Sequence, residues 1–181
     1  MRILFIHGGG DGAHAFDRGL LARLSEGFGD DVAFDYPHVV GLERIEWNTT
    51  HADLEKLLPG AAEGTIIVAH SIGAAAVLKS LSSGTPTRAT AVVLLAAPYK
   101  ADDSHWGRDD FSFPSDFAKN VPSALDVTMY HCSDDAVIPV GDAKEYGKKM
   151  PRANITIFRT GGHQFDGRTD AVARDIRNVT R

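Results

Sequence analysis

Six short apolar runs, separated by stretches of helical period, constrain this chain more than any other feature. They are RILFIH (2–7), VAFDY (32–36), TIIVAH (65–70), AVVLLAA (91–97), VTMYHC (127–132) and ITIF (155–158). Apolar runs of this length suit strands covered on both faces, and their alternation with helices marks a mainly parallel sheet. Between them, Phe16, Leu20, Leu24 and Phe28 make one helical stripe, Leu54, Leu57 and Leu58 a second, and Ala75, Leu78 and Leu81 a third. Asp142 is placed to cap a helix that stops at Pro151, and Val172, Ile176 and Val179 line a C-terminal helix. The expected fold is α/β, a three-layer α/β/α sandwich around a six-stranded sheet. Residues 98–122 break the rhythm with Pro98, Pro114 and Pro122 and with Tyr99, Trp106, Phe111, Phe113 and Phe117. That segment reads as a loop-rich excursion whose aromatics either cover a core edge or line a pocket.

With 181 residues, 43% of them hydrophobic, the chain has the material for a single domain spanning 1–181. Its 24 acidic and 19 basic residues give a net charge of -5 with no Lys/Arg block, so the basic footprint of a nucleic-acid binder is missing. No run approaches membrane-spanning length, and residues 3–6 are too short for a signal-peptide core. Cys132 is the only cysteine and has no partner for an internal disulfide. These features lead us to expect a soluble, unprocessed protein of a reducing compartment, by default the cytoplasm.

The third run ends at a serine among small residues, Ala69-His70-Ser71-Ile72-Gly73. A serine on a sharp strand-to-helix turn projects its hydroxyl above the sheet while its backbone is held in a sparsely populated conformation, and only small residues fit two positions away. Serine also caps helices, which is the plainer reading of Ser71. As a nucleophile it needs a base, and the base needs an orienting acid. Both have candidates further along the chain. Cys132-Ser133-Asp134-Asp135-Ala136-Val137-Ile138-Pro139 follows the fifth run, and Thr160-Gly161-Gly162-His163-Gln164-Phe165 follows the sixth. In a parallel sheet, Ser71, the carboxylate pair Asp134–Asp135 and His163 all emerge at the same edge, where ligands bind in such folds. Acyl transfer also needs N–H donors for a developing oxyanion. Ile72 supplies one, and the loop His7-Gly8-Gly9-Gly10-Asp11-Gly12 the other, with Gly9 favoured over Gly10.

Together these residues resemble an α/β-hydrolase, and more narrowly the small YdeN-like serine hydrolases, the family that includes retinoblastoma-binding protein nine. The likeness runs along nearly the whole chain. It takes in the start on the oxyanion strand, the glycine loop, the serine elbow, the short proline-bearing excursion, the Asp-Asp-x-x-x-Pro turn and the Gly-His loop. Ala69, where glycine is usual, and the His-Gly start of the oxyanion loop depart from the narrower family. The resemblance implies a cofactor-free serine hydrolase acting on a small-molecule acyl substrate, with Ser71, Asp135 and His163 as its triad. Members of the superfamily commonly show D-x-x-[VI]-P at the acid, which Asp135 fits and Asp134 does not. Asp134 is assigned an Asx-type turn bond instead.

His7, His70, Trp106, Phe111 and Phe113 are candidates for pocket walls. His7, His70 and His131 end neighbouring strands, but the acidic ligands and spacing of a metal motif are missing, so no metal is assigned. Two rival readings stand beside the hydrolase. Gly8-x-Gly10-x-x-Ala13, with Asp35 ending the second run, matches a dinucleotide-binding fingerprint but leaves Ser71, Asp135 and His163 unexplained. A non-catalytic binding protein of the same fold is the other. The excursion at 98–122 is too short for a separate cap, which implies a preference for short acyl groups.

Overall fold

The computed structural model describes residues 1–29, 32–99 and 109–179. Its strands are β1 (Arg2–Ile6), β2 (Ala33–Asp35), β3 (Thr65–His70), β4 (Ala91–Leu95), β5 (Asp126–Cys132) and β6 (Asn154–Phe158). Its helices are α1 (Ala13–Glu26), α2 (Val40–Arg44), α3 (Trp47–Gly60), α4 (Ser71–Ser82), α5 (Phe117–Asn120), α6 (Val140–Lys149) and α7 (Thr169–Val179). The strands form one sheet in the order β2-β1-β3-β4-β5-β6, every pairing parallel. All six C-terminal ends therefore lie at one edge, as the sequence leads one to expect.

Side-chain alternation sorts the core into two layers. Ile3, Phe5, Ile66, Val68, Val93 and Tyr130 meet Leu20 and Leu24 of α1 and Val172, Ala173 and Ile176 of α7. On the opposite face, Leu4, Ile6, Ile67, Ala69, Val92, Leu94 and Met129 meet α3, α4 and Tyr146 of α6. Helix α4 is built largely from small and aliphatic residues because it is enclosed almost all round: eleven of its twelve residues are buried. It packs against α3 on one side and α5 on the other. No helix among the described residues is long and apolar enough to cross a membrane.

The structure corrects several local expectations. Phe16 is not on the buried stripe of α1. It is 67% exposed, and the buried positions are Asp17, Leu20 and Leu24, a spacing equally helical. Asp142 does not cap α6 with its side chain; it lies in the first turn and accepts a hydrogen bond from the Tyr99 N–H at 3.0 Å. In the excursion, Phe111 and Phe113 belong to the core. Phe111 sits edge-on to Trp47, and Phe113 lies against Tyr99, Phe117 and Tyr146. Trp106 and the rest of 100–108 lie outside the described residues.

Candidate active site

Ser71 is where β3 stops and α4 begins, and its φ of 52° puts a non-glycine residue in the left-handed region. Such a conformation costs on the order of 1–3 kcal/mol and persists only where the surroundings enforce it. The enforcement is visible two residues on, where a methyl at Gly73 would overlap the carbonyl oxygen of His7, so α4 can lie this close to the end of β1 only with glycine there. Ala69 is tolerated in place of the usual glycine because its methyl is part of the core, on a strand flanked by Ile6 and Leu94.

The turns after β5 and β6 bring the two expected partners to this serine. His163 Nδ1–H donates to Asp135 Oδ2 at 2.8 Å. That proton assignment, set by an acceptor-only carboxylate, leaves a lone pair on Nε2, to which the Ser71 hydroxyl donates at 3.1 Å. Asp135 is itself fixed by its other oxygen, which accepts the N–H groups of Val137 at 2.8 Å and Ile138 at 2.9 Å. The Asx-type turn bonds thus belong to Asp135. Asp134 reaches across to accept the Gly162 N–H at 2.9 Å and the Gly161 N–H at 3.2 Å, tying down the loop that carries His163.

Electrostatics follow from this geometry. Burial opposes ionisation of Asp135, yet the His163 hydrogen bond, its charge and the two backbone donors together hold the carboxyl below the usual range. Burial lowers the proton affinity of His163 and nearby His70 adds to it, outweighing the upward pull of Asp135, so the ring sits below its ordinary 6.5. At neutral pH it is a free base. Burial, reinforced by Asp134 and Asp135, pushes the Cys132 thiol up to about 12, which makes it a poor nucleophile at neutral pH.

The glycine loop distributes its N–H groups unequally. Gly8 donates to Asp17 and Gly10 to the Leu42 carbonyl at 3.1 Å. Gly10 is therefore no oxyanion donor, a correction to one of the two expected positions. No group among the described residues takes the Gly9 N–H, and Gly9 lies directly against Ile72, where an added Cβ would come within 3.0 Å of the Ile72 Cβ. As the first residue beyond Ser71 in α4, Ile72 has an N–H without an intrahelical acceptor.

A cleft of about 420 Å³ opens over these groups, lined by Gly9, Phe16, Ser71, Val137, His163 and Gln164 among others. Of the expected pocket walls, His70 lines it. His7 is buried behind it instead, its Nδ1–H donating to Gly8 O at 2.8 Å and its Nε2 accepting the Val39 N–H at 3.0 Å. Phe111 and Phe113 are spent in the core. Phe16, Val137 and Gln164 were missed by sequence reasoning, as was Asp17 beneath them. The only signal was the position of Asp17 on the α1 stripe, three residues before Leu20. Among the described residues, no set of three metal-ligating side chains converges. The Asp35 carboxylate, which the dinucleotide reading assigns to a ribose, pairs with Arg2 at 2.7 Å.

An all-parallel sheet in this order, with a left-handed serine on the sharp turn after β3, is the α/β-hydrolase architecture. The alpha/beta hydrolase family matches residues 3–127, more than half of the chain, and the chain belongs to that family. The match takes in Ser71 but ends before Asp135 and His163, which are joined to it by geometry. Among solved structures, the ydeN gene product of B. subtilis is 20% identical, with a TM-score of 0.72 over 98% of this chain and 97% of that one. A lipase-esterase related protein from Clostridium acetobutylicum is 14% identical, with a TM-score of 0.76 over 98% of this chain and 93% of that one. A methylesterase from Arabidopsis is 14% identical, with a TM-score of 0.66 over 98% and 99%. Identities this low show a shared fold. No curated protein matches this chain in sequence.

Proposed function

We propose that this protein is a serine hydrolase that cleaves a small carboxylic ester, or a related acyl bond, through an acyl-enzyme. The observation that carries the reading is the unbroken relay from Asp135 through His163 to the Ser71 hydroxyl, with links of 2.8 and 3.1 Å. As Ser71 Oγ attacks the carbonyl carbon, its proton passes to His163 Nε2, and Asp135 stabilises the imidazolium. The carbonyl oxygen gains the negative charge, and the Gly9 and Ile72 N–H groups are the donors for it. Collapse expels the alcohol, which takes the proton back from His163. Water, deprotonated by the same nitrogen, then releases the acid and restores the serine. Side chains and backbone supply every step, so the reaction calls for no cofactor. The partner is a small acyl donor, with no nucleic acid or membrane required. Cytoplasmic placement belongs to the same reading, supported by the single buried thiol. The lipase-esterase and methylesterase names carried by proteins of similar fold favour ester chemistry.

The test is labelling with a fluorophosphonate, followed by peptide mapping, alongside hydrolysis of p-nitrophenyl acetate. Label on Ser71 is expected, and Ser71→Ala should lose both label and turnover, leaving a residual of roughly 10³ to 10⁴ over water. Label elsewhere, or near-normal turnover by the variant, removes the proposal.

A further inference from the structure

Among the described residues, the reaction above leaves one deeply buried carboxylate unused, that of Asp17 on α1, whose side chain is 3% exposed. A carboxylate withheld from water is costly unless it is paired and hydrogen-bonded. Asp17 is fully engaged. Its Oδ2 accepts the Gly8 N–H at 2.7 Å and the His70 Nδ1–H at 2.8 Å, and its Oδ1 accepts the Gln164 amide at 3.1 Å. The other nitrogen of His70, Nε2, faces the carbonyl oxygen of His163 at 2.9 Å. A carboxylate and a carbonyl only accept hydrogen bonds, so both contacts form together only with a proton on each ring nitrogen.

These bonds reach the residue before Gly9, the residue before Ser71, and both His163 and its neighbour Gln164. We infer that Asp17 and His70 form a standing ion pair that positions the oxyanion loop, the serine elbow and the base-bearing loop relative to one another, without passing a proton itself. The inference rests on the serine-hydrolase reading. It makes Asp17 and His70 positioning residues, and it has a second consequence, because the His70 and His163 ring centroids are only 4.6 Å apart. His163 is faced by His70 from the end of β3, by Asp17 from α1 and by Asp135 from the turn after β5. The charge on His70 disfavours a second positive charge on His163, while the two carboxylates favour one. Burial opposes ionisation of Asp17, but the hydrogen bond and charge of His70, with the Gly8 N–H, bring its carboxyl down to about 2, so the anion persists across the working range. Arg23 pairs with Asp166 at 3.2 Å and donates to the Gln164 carbonyl, bracing that loop from outside.

The test compares wild type, Asp17→Asn and His70→Asn, with p-nitrophenyl acetate as substrate and active sites counted by fluorophosphonate. Asp17→Asn removes the charge that orders the three loops. It should lower kcat per active site by roughly 10- to 100-fold with KM little changed, the size of effect expected when reacting groups drift by a fraction of an ångström to 1 Å. His70→Asn keeps a donor for Asp17 but removes the positive charge, so the acid limb of kcat/KM should move to higher pH. A residue that only holds the fold would lower Tm and the active fraction while leaving both readouts unchanged, and that result overturns the inference. Should either variant fail to fold, nitrogen-15 NMR of the wild type decides. At neutral pH, one ring with both nitrogens protonated is expected, assigned to His70, beside a neutral His163. A neutral His70 ring would overturn the pair even if the protein proved inactive toward esters.

Discussion

Among the described residues, two carboxylate–imidazole pairs of one cluster, Asp135–His163 and Asp17–His70, are each closed at 2.8 Å, while His131 stands further from Asp135 at 3.7 Å. The two close pairs differ in what the second ring nitrogen meets. That of His163 meets a hydroxyl, which can give up its proton and later take one back, and the His163 side chain is 16% exposed at the cleft. That of His70 meets a backbone carbonyl, which has no proton to exchange, and its side chain is 2% exposed. Chemically similar pairs are thus assigned opposite duties by one neighbouring atom and by access to the cleft. Under the proposed function, the first cycles a proton and the second holds one.

The sharpest way to break this comparison is to disable the cycling pair while sparing its neighbour. Asp135→Asn should lower turnover by on the order of 10⁴, because the amide no longer selects the tautomer that leaves Nε2 free. Asp134→Asn should cost far less, on the order of tenfold or about 1.4 kcal/mol, since Asp134 only steadies the loop through Gly161 and Gly162. Steady-state kinetics on the two variants checks this, and a reversed ranking would mean that the acid has been misassigned.

A milder probe is pH. With burial and His70 keeping His163 below its ordinary 6.5, kcat/KM should be on its plateau at neutral pH. It should then fall tenfold per unit as the ring protonates at lower pH. A midpoint above 6.5 would show that the carboxylates, rather than burial and the second pair, dominate the base.

The smallest effect concerns what the free nitrogen looks out upon. Phe16, 67% exposed, and Val137, 37% exposed, give the cleft short apolar walls. Each CH₂ buried gains only about 0.8 kcal/mol while wall remains. Among p-nitrophenyl esters, acetate to butyrate should therefore give higher kcat/KM than decanoate. A profile still climbing at decanoate would place a deep acyl tunnel beside the cycling pair.

How much of this was legible in the sequence follows from how local each signal is. The mainly parallel sheet and the convergence of Ser71, Asp135 and His163 could be read because each residue lies just beyond an apolar run, and a parallel sheet delivers all such positions to one edge. The holding pair could not. His70 looks like any residue before a serine elbow, and the Asp17 pairing depends on α1 crossing the end of β3, which no spacing encodes. Phe111 and Phe113 failed as pocket walls for a related reason. An aromatic in a proline-bearing loop reads alike in a core and in a cleft, and only contact with Trp47 or Tyr146 separates the two.

The enclosure of α4 also bears on how a chain like this can diversify. With eleven of its twelve residues buried and no room for a methyl at Gly73, the wall behind Ser71 tolerates little variation. The opposite wall, carried by Phe16 on α1 and Val137 in the turn after β5, is surface, where substitutions cost little stability. Under the proposed function, new substrate ranges are therefore open to drift and to laboratory selection mainly from that side, with the serine as a fixed point against which the rest of the cleft is free to change.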